Sequence, residues 1–338
     1  MHPHPHSPWR HLFGVGAGLA AVLTVLVLAF LWPAATSEPR DLPVAVAGPA
    51  AAVAPVAQGL DDRAPGAFEV IPAADRAAAV DLVETREAYG ALVLGEQPEI
   101  LVASGGSPLV TQQLTALAPT LQAQVGVPVT VTELAPLLEG DPRGAILGAV
   151  TFPLVIGGMI GGIAISVTVV GVWRRVTAVT AYSALGGLAV AGVLQGWFGA
   201  LAGSYWVNAG IIGLAILAIG GVIVGVVSVV GRPGIAIGPV LFLLIANPIA
   251  SAAQPWQMLP APWGAIGQWM PPGAAAALLR DESYFPQADT TQLWVALASW
   301  ALLGLLLAAI GHFRDTGAAS RAAIEAATEE SGRDLVPA

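Results

Sequence analysis

Along most of this chain, apolar residues come in runs of about twenty, parted by brief polar breaks. A helix rises 1.5 Å per residue, so such a run covers the roughly 30 Å of hydrocarbon in a bilayer. Six runs have this length: Leu12–Trp32, Ala145–Val172, Val176–Ala202, Ala209–Val230, Ile235–Ala253 and Thr291–Gly311. They predict six transmembrane helices, the second and third long enough to tilt or project. Asn247-Pro248 predicts a kink near the end of the fifth. The first run, with small residues following at Pro33-Ala34-Ala35-Thr36, is open to a second reading as a cleaved signal peptide. It is longer than the roughly 7–15 residue apolar core of such peptides, so a retained anchor is expected.

Residues 34–144 break the pattern. Their apolar positions fall in short runs, Leu42–Ala47, Ala67–Ile71, Tyr89–Leu94, Glu99–Ala103 and Val127–Thr132, which read as strands. Helical stretches lie between them. Ala73–Ala88 is one, and Ser107-Pro108 opens another that ends at Gly126. The order β-α-β-α-β-β-α-β predicts a small α/β domain with a core of its own.

A second break lies at 254–290. Gln257–Arg280 is apolar, yet prolines and glycines divide it into Trp263–Met270 and Gly273–Arg280. Eight or nine helical residues cover only about 13 Å. Two short helices that enter one leaflet and return are therefore expected. Non-helical backbone at that depth needs shielding by protein or by a wet cavity. An interfacial helix pair is the other reading.

Composition agrees with the membrane reading. Of 338 residues 56% are apolar and only 10% charged, against roughly 25% charged in soluble domains. Cysteine is absent, which removes disulfides, thiolate metal sites and catalytic thiols. A net charge of -9 argues against nucleic acid as a partner. The arginines orient the chain. Arg10, Arg174-Arg175, Arg232 and Arg314 all fall on one side of a six-helix layout, so that side is cytoplasmic. Trp9, Trp32, Trp173, Trp206 and Trp294 sit at expected span edges.

The expected organisation is a cytoplasmic N-terminus at 1–11, helix 1 at 12–33 and an extracytoplasmic α/β domain at 34–144. A five-helix transmembrane domain follows at 145–312, with an outer hairpin at 254–290, and a cytoplasmic tail fills 313–338. The fold class is thus membrane α-helical, with an α/β domain between helices 1 and 2 and a re-entrant hairpin between helices 5 and 6.

Candidate chemistry is sparse. No Asp, Glu, Lys, Arg or His lies centrally in a span, which speaks against a proton relay there. There is no G-x-x-x-x-G-K-[ST] loop. No catalytic cluster, metal set or cofactor motif stands out. His2-Pro3-His4-Pro5-His6 reads as a tail, and Asp61-Asp62 as a solvated turn. Ser104-Gly-Gly-Ser107 reads as a turn and helix cap, with a phosphate-holding loop as the alternative. The Gly14-Val-Gly-Ala-Gly18 repeat does not follow a strand, so it is no dinucleotide fingerprint. What the spans do carry is glycine at spacing four: Gly157/Gly161, Gly158/Gly162, Gly192/Gly196, Gly199/Gly203 and Gly221/Gly225. These suit close helix packing, or else a dimer face or sliding surface. Gln195 and Asn247 are the notable span amides, more suited to bonding a neighbouring helix than to lining a path.

The layout, with Leu42–Ala47 after the first span, Glu133–Gly144 leading into the second, Phe152-Pro153 with Gly157-Gly158, and the proline-broken stretch through Arg280 and Tyr284-Phe285, resembles the ABC-2-type permeases. Within them it looks like the YhgE/Pip-like branch of bacterial envelope proteins. The resemblance covers roughly residues 9–312. It implies a permease subunit that dimerises in the bacterial cell membrane and works with a separate ATP-binding subunit, exporting a hydrophobic or envelope-related substrate. It further implies an outer lid formed by Trp263, Trp269, Pro271, Pro272 and Arg280, and an ATPase contact near Trp173, Arg174, Arg175 and Arg232. The chain departs from the family pattern in its short segment before the first span and its short loop between spans two and three. The other expectation is a non-transporting envelope receptor, scaffold or accessory protein acting through residues 34–144. A membrane enzyme ranks third.

Overall fold

A computed structural model describes residues 8–333. The chain opens with α1 (Trp9–Ala35) and then builds a five-stranded sheet from β1 (Leu42–Ala47), β2 (Phe68–Ala73), β3 (Gly90–Val93), β4 (Glu99–Val102) and β5 (Thr130–Glu133). The strand order is β2-β1-β3-β4-β5, parallel throughout except for the β3–β4 pair. Strand β1 is almost wholly apolar because both its faces are covered. Leu42, Val44 and Val46 point to a layer made by α2 (Ala50–Arg63), α4 (Pro108–Thr115) and α5 (Ala118–Val125). Ala45 and Ala47 point the other way, toward α3 (Arg76–Glu84).

Beyond this domain lie α6 (Ile146–Thr168), α7 (Val172–Ala191), α8 (Tyr205–Val230), α9 (Trp263–Gln268), α10 (Pro271–Tyr284) and α11 (Thr291–Arg333). Helix α7 runs on through a π-helical turn, Gly192–Trp197. Asp141 accepts hydrogen bonds from the Ala145 and Ile146 amides at 2.9 and 2.8 Å, which ties down the start of α6. Helix α8 is apolar all round and is the hub, packed on α6, α7, α10 and α11. Helix α1 is its opposite. No residue of its most apolar stretch is buried. Its ring contacts with the bundle lie toward its C-terminal end, Phe30 with Phe152 at 6.1 Å and Trp32 with Trp263 at 6.3 Å.

Among the described residues, five helices are long and apolar enough to cross a membrane: α1, α6, α7 with its π turn, α8 and α11. The fifth predicted span, Ile235–Ala253, is not one of them. It forms a 3₁₀ turn, Arg232–Ala236, and a π-helix, Gly238–Ala246, and then turns. Glycine and proline at Gly231, Pro233, Gly234, Gly238 and Pro239 deny it a regular α-helical start. The stretch still passes along the bundle. Gly234 lies against Val226 and Val227 of α8, Gly238 against Ile223 and Met159, and Ala253 against Gly148 at the start of α6.

In the domain, the predicted helix from Ser107 to Gly126 is two helices, broken before Pro119. Its caps are as expected: Ser107 accepts from the Val110 amide, and Gly126 is left-handed with φ 76°. The predicted helix Ala73–Ala88 is trimmed to α3, which Asp75 caps. Asp61 and Asp62 close α2 and do not stand in an open turn; Asp61 accepts from the Gly66 amide at 3.1 Å. Helix α11 extends the last span to Arg333. The histidines His2, His4 and His6 lie outside the described residues.

Candidate functional site

The proline-broken stretch folds as α9 and α10, joined without a gap for a side chain. A Cβ on Gly264 would fall 2.0 Å from the Trp256 carbonyl oxygen, and one on Gly267 would fall 1.8 Å from that of Ile249. A Cβ on Gly273 would fall 2.2 Å from the Gly267 oxygen. Pro271 and Pro272 occupy the first turn of α10, where a missing amide proton costs nothing. Helix α10 is buried among α6, α8 and α11, with Ala274, Ala275, Leu278 and Leu279 in their shared core.

Its C-terminal end leaves that core and plugs into the α/β domain, and nearly every residue there is bound. Arg280 donates to the Ala252 carbonyl at 2.8 Å. Asp281 pairs with Arg86 of the α3–β3 turn. Glu282 accepts from the Ser204 amide at 2.7 Å, and the Ser283 hydroxyl accepts from the Ala202 amide at 3.2 Å. Tyr284 packs on Gly105 and Phe285 on Gly106. Phe285 also joins the Ala45–Leu101 face of the sheet as a core residue, and the Arg86 guanidinium lies 5.3 Å from its ring centre. On the other face, Met258, from the segment before α9, is buried in the domain core. Its carbonyl accepts from Arg40 at 2.9 Å and from the Glu38 amide at 3.1 Å. The Tyr89 hydroxyl donates to Gln257 at 3.0 Å.

Two guanidinium groups and one carboxylate thus lie together with little water. Burial, then the nearby Arg86, lowers the Arg280 pKa to about 10. Burial opposes charge on Arg86 as well, but Asp281 and Tyr89 outweigh it and raise its pKa. Burial raises Asp281 against the pull of Arg86, and it raises Tyr89 too. The arrangement fastens and positions; no nucleophile in it is set against a base. Beside it, a cavity of about 360 Å³ opens between the sheet edge and the hairpin. Arg40, Asp41, Glu69 and Glu87 line one side and Trp256, Leu259 and Pro262 the other.

Of the expected lid residues, Arg280, Pro271 and Pro272 are buried as the plug is built. Trp263 and Trp269 instead face outward, 42% and 48% exposed, because α9 turns its glycines inward. Trp263 meets Trp32 of α1, and the Trp269 carbonyl accepts from the Trp300 indole at 2.8 Å. At the opposite end of the bundle, Trp173 lies 5.8 Å from His312 of α11, and Gly311 packs on Ser228 of α8. This gathers Arg174, Arg175, Arg232 and Arg314 at one end, with Arg174 and Arg232 exposed and Arg175 donating to the Val169 carbonyl at 2.7 Å.

Most of the expected glycines are used inside the chain. Gly157 and Gly161 meet Tyr182 of α7, whose hydroxyl donates to the Gly157 carbonyl at 2.9 Å. Gly158 meets Ile219, Gly162 meets Gly220, and Gly225 meets Gly304 of α11. A Cβ on Gly304 would in turn touch Gly221. Gly192 and Gly196 belong to the π turn, and a side chain on Gly196 would meet nothing. Gln195 bonds Asn208 at 3.0 Å and the Gly203 carbonyl at 3.0 Å. The Ser104–Ser107 loop is no anion cradle. Its four amides already bond Glu133, Ala135 and Ala103.

The sequence reading missed Arg86, Tyr89, Asp281, Glu282 and Met258. The charged Arg280-Asp281-Glu282 ending an apolar helix was the one available signal; the Thr85-Arg86-Glu87 turn looks like any solvated loop. Among the described residues, no three His, Asp or Glu side chains gather as metal ligands. Comparison with protein-family models, with curated proteins and with solved structures gives no match in any of the three.

Proposed function

We propose that this chain is a multi-pass membrane protein whose α/β domain stands outside and whose termini lie inside. In this reading it is the permease subunit of an ABC-2-type exporter of a hydrophobic or envelope-related substrate, powered by a separate ATPase. The observation that carries it is the plug at Arg280–Phe285. It makes the outer domain and the re-entrant hairpin one body, so any motion of the α9–α10 lid must move the domain with it. The other end offers Trp173, Arg174, Arg175 and Arg232 as the contact for a cytoplasmic partner. Helix α8 fills the bundle axis, so a path for substrate would have to form between two copies or between this chain and a related one.

The test is affinity purification from native membranes. An ATPase should accompany the wild-type chain and be lost from an Arg174→Glu/Arg175→Glu/Arg232→Glu variant. Purification that never yields an ATPase sinks the reading. Reporters at Asp61 and Arg174 should fall on opposite sides of the membrane.

The second reading, an envelope receptor or scaffold, is favoured by the 360 Å³ cavity at the domain–hairpin junction. It requires that deleting the outer domain abolish function while the arginine variant keeps it.

A further inference from the structure

Three acidic side chains come together around Pro43, at the start of β1. Asp41 lies just before it, with its amide bonded to the Gly66 carbonyl at 2.9 Å. Glu69 of β2 is its partner in the strand register. Glu87 of the α3–β3 turn precedes Tyr89, whose amide donates to the Pro43 carbonyl at 2.9 Å. All three acids are exposed and line the 360 Å³ cavity. The fold makes little use of them. Among the described residues none forms an ion pair. Glu87 accepts a long bond from the Thr85 hydroxyl, at 3.3 Å.

The one cation in this wall is already engaged. Arg40 pairs with Glu38 and donates to the Thr36 and Met258 carbonyls at 3.0 and 2.9 Å. The cavity therefore presents an excess of negative charge. A recess lined by one sign of charge and walled by protein focuses the field and draws in a counter-ion.

The opposite wall is apolar and aromatic. The Trp256 ring rests on Gly264, where a Cβ would fall 3.3 Å from it, and the residue stays 40% exposed. Leu259, Pro262 and Ile71 extend this wall. The two walls are fixed against each other, since Gln257 bonds Tyr89 and Met258 is buried in the domain core. Carboxylates facing an indole suit an ammonium with an apolar body: the ring attracts the charge and the hydrocarbon leaves water. A bare metal ion fits less well, because among the described residues no three acids gather as ligands. The volume lies at the lower end of the range for small-molecule pockets, about 300–1,000 Å³.

Trp263, between Pro262 and Gly264, lines a second cavity, apolar and about 290 Å³, with Ala29 and Trp32 of α1 and Ile249. The two cavities share the first turn of α9. An acyl chain has a place there if the cation is a lipid headgroup.

We propose that the cavity between the sheet edge and the hairpin binds an organic cation, an amine or quaternary ammonium with an apolar body. Asp41, Glu69 and Glu87 supply the counter-charge and Trp256 the aromatic wall. This gives a ligand class to the receptor reading above and rests on that reading for its role in the cell.

The full-length chain in maltoside detergent is titrated calorimetrically with hexyltrimethylammonium, hexanol and hexanoate, with empty micelles as the blank. The cation should bind saturably and hexanoate should not, with hexanol weaker than the cation by about tenfold. Glu69→Gln/Glu87→Gln should weaken the cation by about tenfold with unchanged thermal unfolding, since both acids are exposed. Trp256→Leu keeps an apolar wall without the ring and should weaken the cation but not hexanol. Displacement of the cation by added phosphatidylethanolamine, with phosphatidylglycerol inert, assigns the site to a lipid headgroup; displacement by neither assigns it to a free cation. No saturable binding, hexanoate binding as tightly as the cation, or full binding by the acid variant overturns the proposal. Failure of the receptor reading would look different: the cation binds, yet deletion of the α/β domain leaves function intact.

Discussion

Arg86 and Asp281, 195 residues apart in sequence, form a buried ion pair that joins the α/β domain to the end of the hairpin. Their side chains are 18% and 6% exposed, so neither charge has water to fall back on. Removing one partner from such a pair strands the other, a loss of about 3–5 kcal/mol. Asp281→Ala should therefore destabilise the protein by that order, as it leaves Arg86 and Arg280 facing each other. Arg86→Met/Asp281→Leu should recover most of the loss, because the pair is replaced by packing. Chemical denaturation of the purified chain in nanodiscs measures both; equal losses in the single and double variants would contradict this account.

Arg280 offers a different outcome. Its pKa is pushed down to about 10, below that of an ordinary arginine, so the folded state gives up this proton more readily than the unfolded chain. Stability should rise as pH climbs above about 10, since there the unfolded chain still holds the proton that the folded chain has released. Arg280→Met should lose this rise and should be no less stable at neutral pH, once the single bond to Ala252 is set against the removed charge. Unfolding midpoints across that alkaline range decide it.

The α/β domain has an acid limb of its own. Arg76 bonds Glu99 through Nε at 2.6 Å, and Thr132 donates to the same carboxylate at 2.5 Å. The Arg76 hydrogen bond lowers the Glu99 pKa below its usual 4.5. The resulting stability is present above about pH 4.5 and fades as pH falls through the lower folded value. Glu99→Gln should flatten this part of the profile. Hydrogen exchange of β4 and β5 at descending pH is the measurement, and identical slopes in the two proteins would remove Glu99 from the explanation.

Glycines should sort sharply. Gly267→Ala places a methyl 1.8 Å from the Ile249 oxygen, so the hairpin must shift, at a cost of about 1–3 kcal/mol or more. Gly14→Ala meets nothing within 4 Å and should be harmless to the single copy. A thermal-shift series over both positions separates the two cases.

These contrasts show what the sequence can and cannot tell. Long apolar runs marked all five of the long helices, α1, α6, α7, α8 and α11, since length alone distinguishes them. Strand positions and the Ser107 and Gly126 caps were legible because each depends on local chemistry. The stretch Ile235–Ala253 was not, because hydropathy counts apolar residues and is blind to the hydrogen-bond spacing that Pro233 and Pro239 impose. The plug was legible only in half. Arg280, Asp281 and Glu282 announce a charged end to an apolar helix, but the partners Arg86 and Ser204 lie far off in sequence, and nothing local marks them.

Met258 and Phe285 give the domain a debt in time. A core that includes residues 258 and 285 cannot close while the chain has been made only as far as 144. During synthesis the sheet must wait for these two core residues until three more long helices, α6, α7 and α8, and the hairpin have been made. The last quarter of the chain therefore acts as an assembly signal: the α/β domain acquires its final packing only when the helical portion is nearly complete.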